Sequence, residues 1–201
     1  MNDIEILKKI RTDYVDVFEW TYPFPLPFVG NDKIKAILLG TDPGNQVKGE
    51  TKHFIKVFGL ENANTPYFTQ ISSNIRLLNN LGIENIYVQN VCKNYFNCDA
   101  YNNPHWLSIA RNIWLPLLKN ELDYLFDRQI PVMLSTELIL SLIINGKKKI
   151  PAKFIYENQI FILEKENYLE RTLIPFYRHR NYSLEQWNAY KCKIDSYFEN
   201  H

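Results

Sequence analysis

Three separated stretches of this chain carry side chains suited to act together on one ligand. The first, Leu38-Leu39-Gly40-Thr41-Asp42-Pro43-Gly44-Asn45, runs from an apolar stretch straight into a proline-fixed turn. A carboxylate at that point, Asp42, can orient or deprotonate a water or bind a metal. It can equally cap its own backbone as an Asx turn. The stretch lacks the Gly-x-x-x-x-Gly-Lys-Ser/Thr spacing of a phosphate loop. The second, YVQNVCK, ends in Asn90, whose amide offers an acceptor and two donors in one plane. That suits the edge of a pyrimidine, or the holding of a loop. Phe54 and Phe58 lie between the two, and stacking of a base on an aromatic ring is worth roughly 1–3 kcal/mol. Ordinary packing within the loop is the alternative for either ring. The third stretch, Arg178-His179-Arg180-Asn181, gathers groups that suit an anion or an oxyanion, or else stands as a solvated loop.

Several other chemistries are excluded. His53 and His105 have no ligand spacing, and no metal site is expected. Ser72, Ser73 and Ser135 sit in no nucleophile-elbow pattern. Cys92, Cys98 and Cys192 form neither a disulfide framework nor a Cys-x-x-Cys pair, so free thiols in a reducing cytoplasm are expected. The N-terminal MNDIEILKKIRTDY carries charges through any apolar run and reads as neither signal peptide nor anchor. Lys+Arg 23 against Asp+Glu 22 gives +1, so no global charge advertises a polyanionic partner, and any nucleic-acid contact must come from a local patch. Arg171, Lys165, Lys191 and Lys193, close to the third stretch, suggest such a surface, whereas the run Lys147–Lys149 reads first as solvated and second as a phosphate contact.

The elements that would position these groups alternate along the chain. Asp3 to Trp20 shows a helical stripe, and the prolines of Tyr22–Phe28 force extended backbone. Lys35–Gly40 reads as a buried strand, followed by a long loop over 41–65. A helix over Pro66–Leu81 stops at Gly82, and Glu84–Val91 is the second strand. A long helix over Pro104–Phe126 is expected to kink at Pro116. Pro131–Ser135 is the third strand, and Thr136 opens a helix ending at Asn145–Gly146. Residues 154–163 suit a hairpin or two short segments, Thr172–Tyr177 is the last strand, and Ser183–Gln186 fits a capping box for the C-terminal helix. Strands alternating with helices predict one α/β domain over residues 1–201: three α/β/α layers around a mostly parallel four-stranded sheet. In such folds ligands sit beyond the carboxyl ends of the strands, which selects four segments: Thr41–Asn45, Asn90–Lys93, Ser135–Glu137 and Arg178–Asn181.

The ordered motifs resemble the uracil-DNA glycosylase superfamily. Gly40-x-Asp42-Pro43-Gly44 ends a strand, a Phe-bearing loop follows, and then a helix with Ser72-Ser-Asn-Ile-Arg-Leu-Leu78. A strand ends in Asn90, a helix with Trp114 leads into PVMLS, and a basic loop with His follows the last strand; the likeness spans about residues 34–187. It implies base flipping and hydrolysis of an N-glycosidic bond in damaged or uracil-containing DNA, single- or double-stranded. By this resemblance Asp42 and His179 are catalytic, one positioning water, the other donating to the departing base. Thr41, Pro43, Gly44, Phe54, Phe58 and Asn90 bind the substrate, and Arg178, Arg180 and Asn181 grip DNA. A cytoplasmic monomer is implied, with no cofactor, metal or membrane. The family usually has His-Pro-Ser or Asn-Pro-Ser after the last strand, where this chain has Arg178-His-Arg-Asn-Tyr-Ser183. A second register puts Phe176 at the histidine position. Gly44 stands where the uracil-strict branch has a tyrosine, which implies a roomier pocket. No covalent intermediate is expected, Lys93 being the one lysine near a strand end that would allow it. Two alternatives stay open: a member that binds nucleic acid or a nucleobase without cleaving it, and a small-molecule enzyme on a doubly wound sheet.

Overall fold

Short strands, buried along the centre of the sheet and joined by helices, set the architecture. The computed structural model describes residues 3–14, 23–44, 46–47, 50–51, 53–62, 65–146 and 150–200. Helix α1 (Asp3–Asp13) buries Ile6 and Ile10 on one side. The rest of the expected first helix, and the run Lys147–Lys149, lie outside the described residues. The proline segment leads to β1 (Phe28–Val29), and β2 follows (Ala36–Gly40). The loop after Asp42 holds a small antiparallel pair, β3 (Gln46–Val47) and β4 (Glu50–Thr51). Helix α2 (Thr69–Arg76) begins later and ends earlier than the expected 66–81, because Pro66–Phe68 form a turn. Strand β5 (Ile86–Asn90) comes next.

The long helix runs as α3 (Trp106–Ile109), a π-helical turn over Ala110–Trp114, and α4 (Leu115–Leu125). Pro116 has no N–H to give to the turn before it, and the chain answers by widening into that π turn rather than by ending the helix. Strand β6 (Val132–Leu134) leads to α5 (Glu137–Ile143), capped by Thr136, whose Oγ1 accepts from the Ile139 N–H at 3.4 Å. Residues 152–157, expected as part of a hairpin or short segments, form α6 (Ala152–Glu157), and Ile162 alone bridges to β7 (Leu173–Pro175). The C-terminal α7 (Asn188–Glu199) starts five residues beyond the expected cap, because Ser183–Gln186 close a turn instead, with the Gln186 N–H on the Ser183 carbonyl at 3.0 Å.

The result is an α/β fold on a sheet ordered β1-β5-β2-β6-β7. It has five strands where four were expected. The extra one is β1, which pairs antiparallel with β5 at the sheet edge, while β5, β2, β6 and β7 run parallel. An edge is where a proline-flanked strand is tolerated, since a missing donor there breaks no inner ladder. Every residue of β2 and β5 is buried. The registers Gly40↔Asn90 and Leu134↔Pro175 align the carboxyl ends, so Asp42, Asn90, Ser135 and Arg178 all emerge at one end of the sheet. No described helix is long and apolar enough to cross a membrane.

Arg171 belongs to this framework and not to the expected basic surface. Its side chain is wholly buried and donates to the carbonyls of Leu122 in the last turn of α4, of Phe126, Asp127 and Ile130 beyond it, and to Asp123 Oδ1 at 3.2 Å. Lys191 is paired with Asp195 at 2.7 Å, and Lys193 donates to the Gln159 carbonyl. These cations are spent on holding elements together.

Candidate active site

Asp42, Asn90, Phe54 and Phe58 meet on one cavity of about 200 Å³ at the carboxyl ends of β2 and β5. Thr41, Pro43, Gly44 and Arg178 line it too. The convergence follows from the register: Gly40 opposite Asn90 places the residues just after each strand side by side. Gly40 is required there. A Cβ on it would strike the Asn90 amide oxygen and come within 2.6 Å of the Phe58 ring, so the absence of a side chain lets both groups lie over the strand end.

The phenylalanine loop is held at several points. Leu26 of the proline segment donates to the Ile55 carbonyl at 2.8 Å and accepts from Val57 at 3.0 Å, and Glu61 accepts from the Ile55 and Lys56 N–H groups. Tyr95 Oη accepts from the Phe54 N–H at 2.9 Å. Phe58 sits in the left-handed region at φ 57°, with its carbonyl accepting from Thr65 Oγ1 at 2.7 Å. For a bulky residue that conformation costs on the order of 1–3 kcal/mol and persists only where its surroundings impose it. Phe58 packs edge-on against Phe68, and Phe54 against Tyr67.

Asp42 is partly buried, and burial pushes its carboxyl up to about 7. Opposing that, Trp106 Nε1–H donates to Oδ1 at 3.0 Å, the Thr41 side chain hydrogen-bonds the carboxylate, and Arg178 adds positive charge, while Asp99 raises it slightly. The carboxylate is therefore poised between its two forms near neutrality, as a general base requires. Asn90 is buried, and among the described residues its side-chain amide has no hydrogen-bond partner. A buried amide left open toward a cavity is a ready reader of a base edge. Gly44 N–H donates to the Asp42 carbonyl at 2.8 Å, and a side chain at Gly44 would meet nothing within 4 Å.

The last stretch divides. Arg178 lines the inner cavity, but His179 and Asn181 line a second, outer cavity of about 600 Å³ that shares Tyr67, Tyr101 and Arg178 with the first. His179 is exposed, and its Nδ1 accepts from the Asn181 N–H at 3.2 Å. Arg180 is exposed, lines neither cavity and opens a short turn, and Phe176, the other register's candidate, is wholly buried. Asn74 on α2 fixes this turn: its Oδ1 accepts from Leu184 and its Nδ2 donates to the Tyr182 carbonyl. Lys93 lines neither cavity and is ion-paired with Glu121, which also accepts from Tyr87 and Gln89.

Compared with models of protein families, with curated proteins and with solved structures, the chain matches none. The site therefore stands on its own geometry. Sequence reasoning missed Trp106, Tyr67, Asp99 and Tyr101. Trp106 opens α3 directly after the 92–104 loop, and an indole at a helix start facing a strand end was the available signal. Among the described residues no group of three His, Cys, Asp or Glu side chains gathers as metal ligands.

Proposed function

We propose that this chain is a DNA N-glycosylase that takes an extruded, deaminated or damaged base, uracil first among them, into the inner cavity and hydrolyses its bond to the sugar. The observation that carries the reading is the single cavity shared by the Asp42 carboxylate, the open Asn90 amide and the Phe54 and Phe58 rings. As the glycosidic bond breaks, its electron pair leaves with the base and the sugar becomes cationic. Ionised Asp42 stabilises that cation, aims a water at it and takes the water's proton. The Asn90 amide reads the base and donates to its developing negative charge; one such donor is typically worth about 3–4 kcal/mol in a transition state. Arg178, shared by both cavities, adds charge toward the same region. His179, on the outer cavity, serves the strand rather than the base, beside Arg180 and Asn181. The pairing of Lys93 with Glu121 favours hydrolysis by water over attack by an amine. The reading carries with it three α/β/α layers and a cytoplasmic monomer that uses no metal or cofactor.

Release of uracil, hypoxanthine and alkylated bases from single- and double-stranded oligonucleotides tests it. Wild type must exceed Asp42→Ala by at least about a hundredfold on one of them, the usual scale for a general acid–base group. Equal rates reject the enzyme. One observation favours a second reading, a protein that binds a nucleobase without cleaving it: among the described residues no imidazole lines the cavity of Asn90. Binding without release, abolished by Asn90→Ala, identifies that case.

A further inference from the structure

The outer cavity is larger than the inner one and opens beside it, yet the chemistry proposed above uses only its His179 and Asn181 rim and the shared Arg178. Its wall holds hydroxyls that are buried and unsatisfied. Ser135 and Tyr177 are 1% and 2% exposed, and among the described residues neither Ser135 Oγ nor Tyr177 Oη has a hydrogen-bond partner. Tyr67 Oη, at the junction of the two cavities, is in the same state. Buried hydroxyls left open cost stability unless something satisfies them. The cavity also presents aromatic faces from Tyr67, Tyr101 and Tyr182, and one carboxylate, Glu137 at the start of α5. Glu137 is near enough to Tyr177 and Tyr182 to raise the proton affinity of both hydroxyls, adding to the larger effect of their burial. Among the described residues its carboxylate pairs with no cation.

We infer that the outer cavity binds the nucleotide next to the extruded one and prefers guanine there, with Glu137 reading its Watson–Crick edge and the tyrosines stacking on its face. Volume and lining favour this occupant. About 600 Å³ suits a whole nucleoside rather than a lone sugar or phosphate, and aromatic walls suit a base. An ionised carboxylate only accepts hydrogen bonds. Of the four DNA bases, guanine alone presents two adjacent donors on that edge, N1–H and the N2 amine. Cytosine and adenine pair one amine with a ring acceptor, and thymine flanks its one donor with carbonyls. Ser135 and Tyr177 remain for the guanine O6 and the sugar. Contacts to flanking nucleotides are how enzymes on extruded bases acquire sequence context.

The inference rests on the nucleic-acid part of the proposed function, and its test is a binding measurement that does not need turnover. Single-stranded oligonucleotides with a central uracil are varied at the two flanking positions among guanine, inosine, adenine, cytosine and thymine, and affinity is read by fluorescence anisotropy at low salt. Guanine on one side should bind about tenfold more tightly than the other bases, the scale of a bidentate base contact. Inosine, which lacks the N2 amine, should lose most of that gain. The isosteric Glu137→Gln should flatten the preference by bringing guanine-flanked affinity down to that of the other flanks, roughly tenfold, while the other flanks lose little. Ser135→Ala should weaken guanine-flanked binding without erasing the ranking. Equal affinity for all flanks, a guanine preference unchanged in Glu137→Gln, or no oligonucleotide binding overturns the inference. A guanine preference without base release sinks the glycosylase reading alone, and context-free base release sinks this inference alone.

Discussion

Replacing Trp106 by Phe tests how the Asp42 carboxyl is set. The indole Nε1–H donates to Oδ1 at 3.0 Å, and it is the strongest of the groups that offset burial. A donor favours the ionised form, so removing it raises the carboxyl further above about 7. A hydrogen bond to a charged group is worth about 1.5–3 kcal/mol, and a pKa unit about 1.4 kcal/mol, which gives an upward shift of about 1–2 units. Trp106 is wholly buried, so the substitution also leaves a gap and costs on the order of 1–3 kcal/mol of stability. Trp114→Phe separates the two effects. Trp114 is equally interior, but its indole donates to Asn94 Oδ1 at 2.7 Å, away from the carboxylate. Titration of carboxyl-labelled aspartate by carbon-13 NMR follows Asp42 directly in all three proteins. The expected result is an alkaline shift in Trp106→Phe and none in Trp114→Phe, with both less stable. Base release, where present, should show the same shift in the rising limb of its pH profile. An unmoved Asp42 midpoint in Trp106→Phe, or equal shifts in both variants, refutes the assignment of the indole as the group that keeps Asp42 ionisable.

Four further outcomes are expected. Because the folded-state pKa of Asp42 lies above its unfolded value, the group's contribution to stability is present below about pH 4 and is lost as pH rises toward 7. Asp42→Asn should therefore match wild type at pH 4 and exceed it at pH 8 by on the order of 2–4 kcal/mol in urea unfolding; no gain at pH 8 contradicts the burial account. Asn90→Ala should keep the fold but weaken base binding roughly tenfold or more, as read by anisotropy with a base-bearing oligonucleotide against an abasic one. Gly40→Ala, which drives a methyl into Phe58 and Asn90, should abolish that same discrimination and lower Tm; a variant with normal binding shows the strand end to be less crowded than described. Arg171→Met should cost on the order of 1–3 kcal/mol in denaturant unfolding, since it takes the buried guanidinium away from Asp123 Oδ1 and from the carbonyls around the end of α4; a loss well below 1 kcal/mol refutes the framework role.

What the sequence disclosed and what it hid divide by the range of the forces involved. The parallel strands were legible because short, largely apolar runs between helical patterns are local signals, and once the ends of β2 and β5 align, Asp42 and Asn90 must be neighbours. Strand β1 was hidden because two residues between a proline and a glycine carry no period; it exists through its pairing with β5. The misplaced start of α7 has the same cause. Ser183–Gln186 has the composition of a capping box, but Asn74, more than a hundred residues earlier, takes the Leu184 N–H and holds that segment as a turn. Arg171 looked like surface charge because proximity in sequence says nothing about which carbonyls lie across the sheet.

The site shows the same division, and it bears on how far a motif can be trusted. Residue types at 42 and 90 named a carboxylate and an amide, but their chemistry is set by groups no spacing reveals. Trp106 keeps the carboxylate near its midpoint, Gly40 makes room for the amide, and Thr65 holds Phe58 in a backbone conformation its own side chain opposes. The loop after β7 is the converse case. Its residues are those expected of an anion site, yet His179, beside the turn fixed by Asn74, lines only the outer cavity, while Arg178 lines both. Composition proposes the groups; hydrogen bonds from distant elements decide which of them face the ligand. A variant that frees the turn, Asn74→Ala, should therefore alter how this loop meets DNA without touching Asp42. Its salt dependence of binding should change, while the Asp42 titration stays where it was. If both move together, the two cavities are one mechanical unit and the separation of roles between Arg178 and His179 fails.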